Sequence, residues 1–391
     1  MASIQKRNGS YLITVSDGYA ADGKQRRKTM TWTPDPNMTA RQIGKELQRQ
    51  ATLYEERVKT GQDMGANIKL EAFARKWMAE YAATQLSPKT IARHKELLGR
   101  ICPALGHIAI GKIQPHHLLE FYNQLAQPGQ NKKTGGSLSE ETIMHHHRLI
   151  SSMLGTAVQW SILHSNPATR VKPPKIPHRE IQSYDEVQSA ALLSALQTEP
   201  IKYRAAITLL LYAGLRRGEL LGLEWRDVSW DSNVISVSRS SQYIKGAGIF
   251  TKEPKTKGSI RKLTLPPDVM ALLKKFQVWQ MEERLKAGDR WADAGRLFTT
   301  EDGKPMHPDS LLTWFNRFLE RNNLPHVSLH GLRHTSATVL ITSGVDIRTV
   351  SQRLGHQRAS TTLDRYTHAV ESRDKAVADK LQEVFSFKIS V

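Results

Sequence analysis

A tyrosine, several histidines and two well-placed arginines recur through the C-terminal half of this 391-residue chain. Tyr366 stands in DRYTH, ten residues after His356 in LGH; His330, Arg333 and His334 stand in HGLRHTSAT, and Arg216 in AGLRRGEL. A phosphodiester is attacked when its charge is neutralised, the nucleophile is aligned and the leaving oxygen receives a proton. Arginine suits the first task, because its planar fork donates two hydrogen bonds to phosphate oxygens and stays charged. A phenol has an unperturbed pKa near 10, so Tyr366 would need activation by the held phosphate and by neighbouring bases. Together these groups could surround one phosphodiester with two guanidiniums, two imidazoles and a phenol.

Local context separates these residues from ordinary surface charges. Arg216 follows the helix stop at Gly214 and Arg333 opens a helix after His330, so both can point from backbone-fixed positions; Arg217 is the surface neighbour. His330 and Arg333 are three apart and share a helix face. His330 and His334 have the i, i+4 spacing of a metal pair, but the zinc-protease pattern places Glu after the first His, where Gly331 stands here. The run His145–His146–His147 points to different helix faces, so it is assigned to a DNA-facing or solvent surface. No metal and no cofactor are expected.

With 56 Lys+Arg against 37 Asp+Glu, the formal charge is +19, which favours a polyanionic partner, nucleic acid first. Cys102 is the one cysteine; it cannot form an intramolecular disulfide and reads as a core thiol in a reducing compartment. MASIQKRNGSYL lacks a signal peptide's apolar run, and no stretch approaches the roughly 18 apolar residues of a membrane span. The expectation is a cytoplasmic or nucleoid-associated protein with no membrane partner.

The elements that must position these groups fall into three regions. Tyr11, Ile13 and Val15 alternate with polar residues, as do Lys28, Met30 and Trp32, with turn chemistry from Asp17–Gly18 to Asp22–Gly23; this predicts a small basic sheet. Ile43, Leu47, Ala51, Tyr54 and Val58 predict a helix covering it, closing a region of residues 1–62. Residues 67–166 read as about four helices. Phe73, Trp77 and Tyr81 mark one, Ser87–Pro88 and Gln114–Pro115 open two more, and the last starts near Ser139. The basic, proline-rich residues 167–180 read as a linker. The third region, 181–368, opens at a Ser183–Glu186 capping box. It continues through an apolar helix to Gly214, short strands near Val234–Val237 and in 249–265, a long helix over 267–287 and a helical remainder. In the tail, 369–391, helical spacing from Val370 to Val384 gives way to strict alternation from Phe385 to Val391, a strand that needs a partner.

AGLRRGEL, the lysine-bearing EPKTKGSIRKLTLP, HGLRH, LGH and DRYTH occur in the order seen in tyrosine recombinases of the phage-integrase type, and together they resemble that family. The three-part layout resembles the integrases of phages and conjugative transposons of Gram-positive bacteria. The resemblance implies a multidomain fold: a small N-terminal β-sheet plus helix that binds arm-type DNA, an all-α core-binding domain, and a mixed, mainly α catalytic domain with a small antiparallel sheet. It makes Tyr366 the nucleophile, Arg216 and Arg333 the phosphate clamp, His330 and His356 supporting imidazoles, and Glu219 structural support. A lysine between two strands would protonate the 5′ oxygen; Lys255 matches best, with Lys257 in reserve and Lys262 nearby.

The activity implied is site-specific cutting and rejoining of DNA through a 3′-phosphotyrosine bond, which needs neither ATP nor a metal, to integrate and excise a mobile element. Lys24, Arg26, Arg27 and Lys28 would contact the arm sites. Implied partners are double-stranded DNA at core and arm sites, a homotetramer on that DNA, an excisionase and DNA-bending proteins. The tail would dock on an adjacent protomer. A chromosome-dimer-resolving recombinase is a rival, although such chains usually lack an arm domain. A type IB topoisomerase would use similar residues, and a catalytically silent DNA-binding regulator is the reading from another class.

Overall fold

The structure is a computed structural model and describes residues 2–19, 23–59, 67–177, 182–252, 260–355 and 381, apart from the side chains of Arg57 and Lys59. The chain divides into two compact units, Met1–His178 and Arg179–Val391.

The first unit begins with an antiparallel sheet of order β1-β2-β3, made of β1 (Ser3–Arg7), β2 (Ser10–Tyr19) and β3 (Gln25–Trp32). The alternation in β2 turns Ile13 and Val15 inward, where Ala51, Tyr54 and Val58 of α1 (Ala40–Lys59) cover them. The sheet holds one strand that was not expected, and one expectation needs revision. β1 has every residue exposed, so it carries no alternating apolar signature to announce it. Asp17–Gly18 lies inside β2, which absorbs it as an irregularity between Ser16 and Tyr19, and is not part of the turn.

A separate apolar cluster organises residues 70–171. It is built from α2 (Leu70–Trp77), a π-helical turn Met78–Ala82, α3 (Ala83–Gln85), α4 (Pro88–Leu105), α5 (Pro115–Leu125) and α6 (Glu140–Gln159). The caps act locally. Ser87 Oγ accepts from the Thr90 N–H at 3.2 Å with Pro88 at the first helical position, and Ser139 Oγ accepts from the Thr142 N–H at 3.3 Å. The π-turn ends the α2 register before Tyr81, which stacks on the buried Trp77 at 5.3 Å. Trp77 in turn donates to Thr156 Oγ1 at 3.0 Å. Cys102 is free and only partly buried, packed at the edge of this cluster.

Two further expectations in this unit are corrected. His146 is not at the surface: it is 1% exposed, edge-on to Phe121, with Nδ1 2.8 Å from the Thr142 carbonyl. His147 is half-buried, 3.0 Å from the Tyr122 hydroxyl. The stretch expected as a linker from 167 starts inside the core, because Asn166 caps a tight turn at Pro167–Arg170 that buries Ala168 and Val171.

The second unit opens with α7 (Glu186–Ala195). Its cap is Asp185, not Ser183: Asp185 Oδ1 accepts from the Gln188 N–H at 2.7 Å, and Gln188 accepts from the Asp185 N–H at 3.1 Å. The preceding residue is committed elsewhere, since the Tyr184 N–H donates to Thr335 at 2.8 Å and its ring is buried. The apolar α8 (Ile201–Ala213) ends at Gly214 in the left-handed region, and the short α9 (Arg217–Gly222) follows. β4 (Val228–Ser229), β5 (Val234–Val237) and β8 (Arg261–Thr264) form one antiparallel sheet, and β6 (Ser240–Ile244) with β7 (Gly248–Lys252) a separate hairpin. α10 (Pro267–Ala287), α11 (Pro308–Arg321), α12 (Leu329–Thr342) and α13 (Ile347–Leu354) complete a helix-rich body with one large apolar cluster and a small one between α12 and α13, made of Ala337, Ile341, Val350 and Leu354. The mixed, helix-rich fold with small antiparallel sheets follows that expectation. Among the described residues no helix is long and apolar enough to cross a membrane.

Candidate active site

Gly214, Leu354 and Gly355 build the floor of the site. Gly214 has φ +58°, and a Cβ there would lie 2.6 Å from a Leu354 methyl, so a bare, left-handed backbone lets the end of α8 approach the end of α13. Both helices terminate here, and their last carbonyls need donors from outside the helix.

Arg333 supplies them. It is 1% exposed, and its guanidinium donates to the Gly214 carbonyl and to the Leu354 carbonyl, each at 2.6 Å. Its helix starts earlier than expected. Ser328 caps α12 by accepting from the Gly331 N–H at 2.9 Å, which puts His330 in the first turn and Arg333 in the second. Arg333 is enclosed while His330, three residues before it on the same helix, is exposed. The neighbour of His330 is His334, whose buried ring meets it edge-on at 4.8 Å.

Arg216 is the cap residue of α9, in extended backbone just after the Gly214 turn. Its Nη1 donates to Glu219 Oε1 at 2.7 Å and its Nη2 to the Gly355 carbonyl at 3.3 Å, while its side chain remains 41% exposed. Arg217, half-exposed, turns away to Asp309 at 3.1 Å and to the Pro308 carbonyl.

Glu219 lies buried under these groups and accepts four donors. Oε1 takes Arg216 Nη1 and, at 3.3 Å, Arg261 Nη1; Oε2 takes the Arg216 N–H at 3.0 Å and Arg261 Nη2 at 2.8 Å. Burial by itself would raise the Glu219 pKa. The Arg261 hydrogen bonds and charge, followed by those of Arg216, outweigh it and hold the carboxyl at about 2. Glu219 thus touches Arg216 on one side and Arg261 on the other.

Arg261 is the residue that sequence reasoning missed. The register of β8 contained a signal: Arg261, Leu263 and Leu265 alternate with Lys262 and Thr264, which places an arginine on an otherwise apolar inward face. Besides Glu219, Arg261 donates from Nε to the Arg353 carbonyl at 2.7 Å. A second missed cation, the buried Arg296, donates to the Gly222 carbonyl at the end of α9 and to Thr251 Oγ1 on β7. α9 thus carries Arg216 at its start, Glu219 within it and an arginine-bound carbonyl at its end.

Lys262 is exposed on β8 opposite Ser236. Lys255, Lys257, His356 and Tyr366, with most of the tail, lie outside the described residues. Gly355, the residue before His356 in the chain, is within hydrogen-bonding reach of Arg216 through its carbonyl. In the N-terminal sheet, Lys24, Arg26 and Arg27 are exposed, and Lys28 is 3.6 Å from Asp17.

Residues 182–373 match the model of the phage integrase family, and residues 69–126 match the N-terminal SAM-like domain of phage integrases. A XerC-like tyrosine recombinase of Caldanaerobacter subterraneus subsp. tengcongensis is 27% identical over 97% of this chain and 98% of its own. The ICEBs1 integrase of Bacillus subtilis is 28% identical over 70% of this chain and 72% of its own. Among solved structures, the Tn1549 transposon integrase in complex with transposon right end DNA aligns with a TM-score of 0.66 at 24% identity, covering 80% of this chain and 99% of that one. A lambda integrase tetramer bound to a Holliday junction aligns with a TM-score of 0.57 at 14% identity, covering 92% and 94%. The structural likenesses speak for the fold.

Proposed function

Because this chain belongs to the phage integrase family of tyrosine recombinases, we propose that the arginine cluster described above is its DNA-cleaving centre. The protein is a site-specific DNA recombinase that cuts and rejoins strands to integrate and excise a mobile element. The observation that carries the site assignment is the meeting of Arg216 and Arg333 on the Leu354–Gly355 turn, which leads directly into His356.

In this reading Arg216 and Arg333 hold the scissile phosphate, each from a backbone-anchored position, so little reorganisation accompanies the rise of charge in the transition state. Tyr366 attacks the phosphorus and the 5′ oxygen departs with a proton from Lys255. The product is a 3′-phosphotyrosine bond and a free 5′ hydroxyl. His330 and His356 support the transferring phosphoryl group. Because the covalent bond retains the phosphodiester's energy, a second strand's 5′ hydroxyl reseals it without ATP.

The same reading assigns residues 67–166 to core-site DNA and residues 1–62, through Lys24, Arg26, Arg27 and Lys28, to arm sites. Four protomers act together on two duplexes, with tail exchange between neighbours. Excisionase and bending proteins set direction.

The test is incubation with a nicked, labelled DNA carrying the element's end, in EDTA and without ATP, followed by denaturing electrophoresis. A covalent protein–DNA band for the wild type, lost in Tyr366→Phe, is the expected result. DNA binding with no covalent band for either protein would instead point to a silent DNA-binding regulator.

A further inference from the structure

Arg261 is enclosed beneath the clamp, where it holds Glu219 and the Arg353 carbonyl. Of the two arginines on Glu219, Arg216 is the more exposed, at 41% of its side chain against 7% for Arg261, whose Nε, Nη1 and Nη2 are taken up by the Arg353 carbonyl and Glu219. Arg261 joins three elements: β8 carries it, α9 supplies Glu219, and the end of α13 supplies the Arg353 carbonyl. The fit is close, since a Cβ on Gly355 would lie 2.8 Å from Arg261 Nη1.

The charges around Glu219 explain why a second arginine is needed. Glu219 accepts both the side chain and the backbone N–H of Arg216, which fixes where that guanidinium sits. A buried carboxylate with one guanidinium partner forms a neutral pair, and the cation's attraction for a third group is then largely cancelled. With Arg261 occupying the same two oxygens, Glu219 and its two arginines sum to one positive charge, and the exposed member of the trio is Arg216.

We propose that Arg261 is a positioning residue for the phosphate clamp: it balances the charge of Glu219, so that Arg216 is held in place by the carboxylate yet remains cationic toward the scissile phosphate. This rests on the assignment of Arg216 to the clamp. Removing Arg261 would leave Arg216 as the sole partner of a buried anion, drawing it into that pair and away from DNA. Removing the carboxylate's charge as well would make Arg261 dispensable, an outcome that a packing role does not produce.

The experiment is a double-mutant cycle on single-turnover formation of the covalent adduct, using Arg261→Gln, Glu219→Gln, the double variant and Arg261→Lys. Core-site affinity and thermal unfolding are measured alongside. Arg261→Gln should cleave at least about 100-fold more slowly than wild type, the scale of losing one preorganised cation, with DNA affinity changed less than about threefold. Arg261→Lys should recover about tenfold of that loss, and Glu219→Gln should lose no more than about tenfold. The deciding comparison is the double variant against Glu219→Gln, expected to agree within about threefold. It stays readable even if Arg261→Gln fails to fold, because it buries no unpaired anion. A double variant that multiplies the two single losses, wild-type rates in Arg261→Gln, or a Glu219→Gln protein without cleavage would each overturn the inference. A wild type that forms no adduct would instead sink the clamp assignment beneath it.

Discussion

Arg333 donates to the Gly214 carbonyl at 2.6 Å across 119 positions of sequence, closing the open end of one helix with a side chain from another. The other arm of the same guanidinium closes α13 at Leu354. An arginine enclosed in this way has little freedom left to lose when a phosphate arrives, which makes it part of the scaffold as well as of the proposed clamp.

Arg333→Lys should therefore fail twice. An ammonium cannot span both carbonyls, so unfolding should become easier by about 2 kcal/mol, the scale of charged hydrogen bonds to buried groups. Adduct formation should fall by at least about 100-fold, through loss of one transition-state cation. A lysine variant with wild-type single-turnover rates would remove Arg333 from the clamp.

Gly214→Ala tests the floor of the site without touching a charge. The added Cβ meets Leu354 and must adopt φ +58°, so a loss of about 1–3 kcal/mol is expected from left-handed strain and overpacking together. Cleavage should drop more than DNA affinity, because the carbonyl held by Arg333 moves. Thermal unfolding and a gel-shift titration separate the two effects.

Acid should expose the role of Glu219. Its folded pKa of about 2 lies below its ordinary 4.5, so the ionised carboxylate stabilises the fold above pH 4.5, and that contribution is lost as pH falls from 4.5 toward 2. Glu219→Gln should be less stable at neutral pH and should lose this part of the acid dependence. Urea midpoints for both proteins between pH 7 and 3 would check it; parallel curves would contradict the assignment.

His146 should make the helical region sensitive to milder acid. Burial in the α5–α6 core lowers its pKa, so the unfolded chain binds this proton more readily, and stability should decline as pH drops below the ordinary value of 6.5. His146→Met should weaken that decline. Hydrogen exchange over residues 140–159 at pH 7 and pH 5 reports it, and identical pH responses in both proteins would count against it.

The N-terminal sheet offers a separable test. Deleting residues 1–62 should leave crossover-site cleavage intact and weaken binding to distal arm sites. Replacing the exposed Arg26 and Arg27 with alanine should weaken arm binding and lower its salt slope by about one unit for each phosphate left without its arginine. Unchanged arm affinity after the deletion would withdraw the arm assignment.

Local chemistry was legible without a structure. Ser87–Pro88, Ser139 and Gly214 bound helices where expected, because a cap or a left-handed stop acts within a few residues of itself. The types of the chemical groups, and the motifs that order them, were legible for the same reason: each lies within a short run of chain. Tertiary structure decided what depends on distant partners. It buried His146, moved the α7 cap to Asp185 once Tyr184 was bound to Thr335, enclosed Arg333 between two helix ends, and brought Arg261 onto Glu219 from 42 positions away. Whether a charged side chain faces solvent or an enclosed carboxylate is set by which elements pack around it, and periodicity reveals that choice only when a charge occupies an apolar position, as Arg261 does on β8.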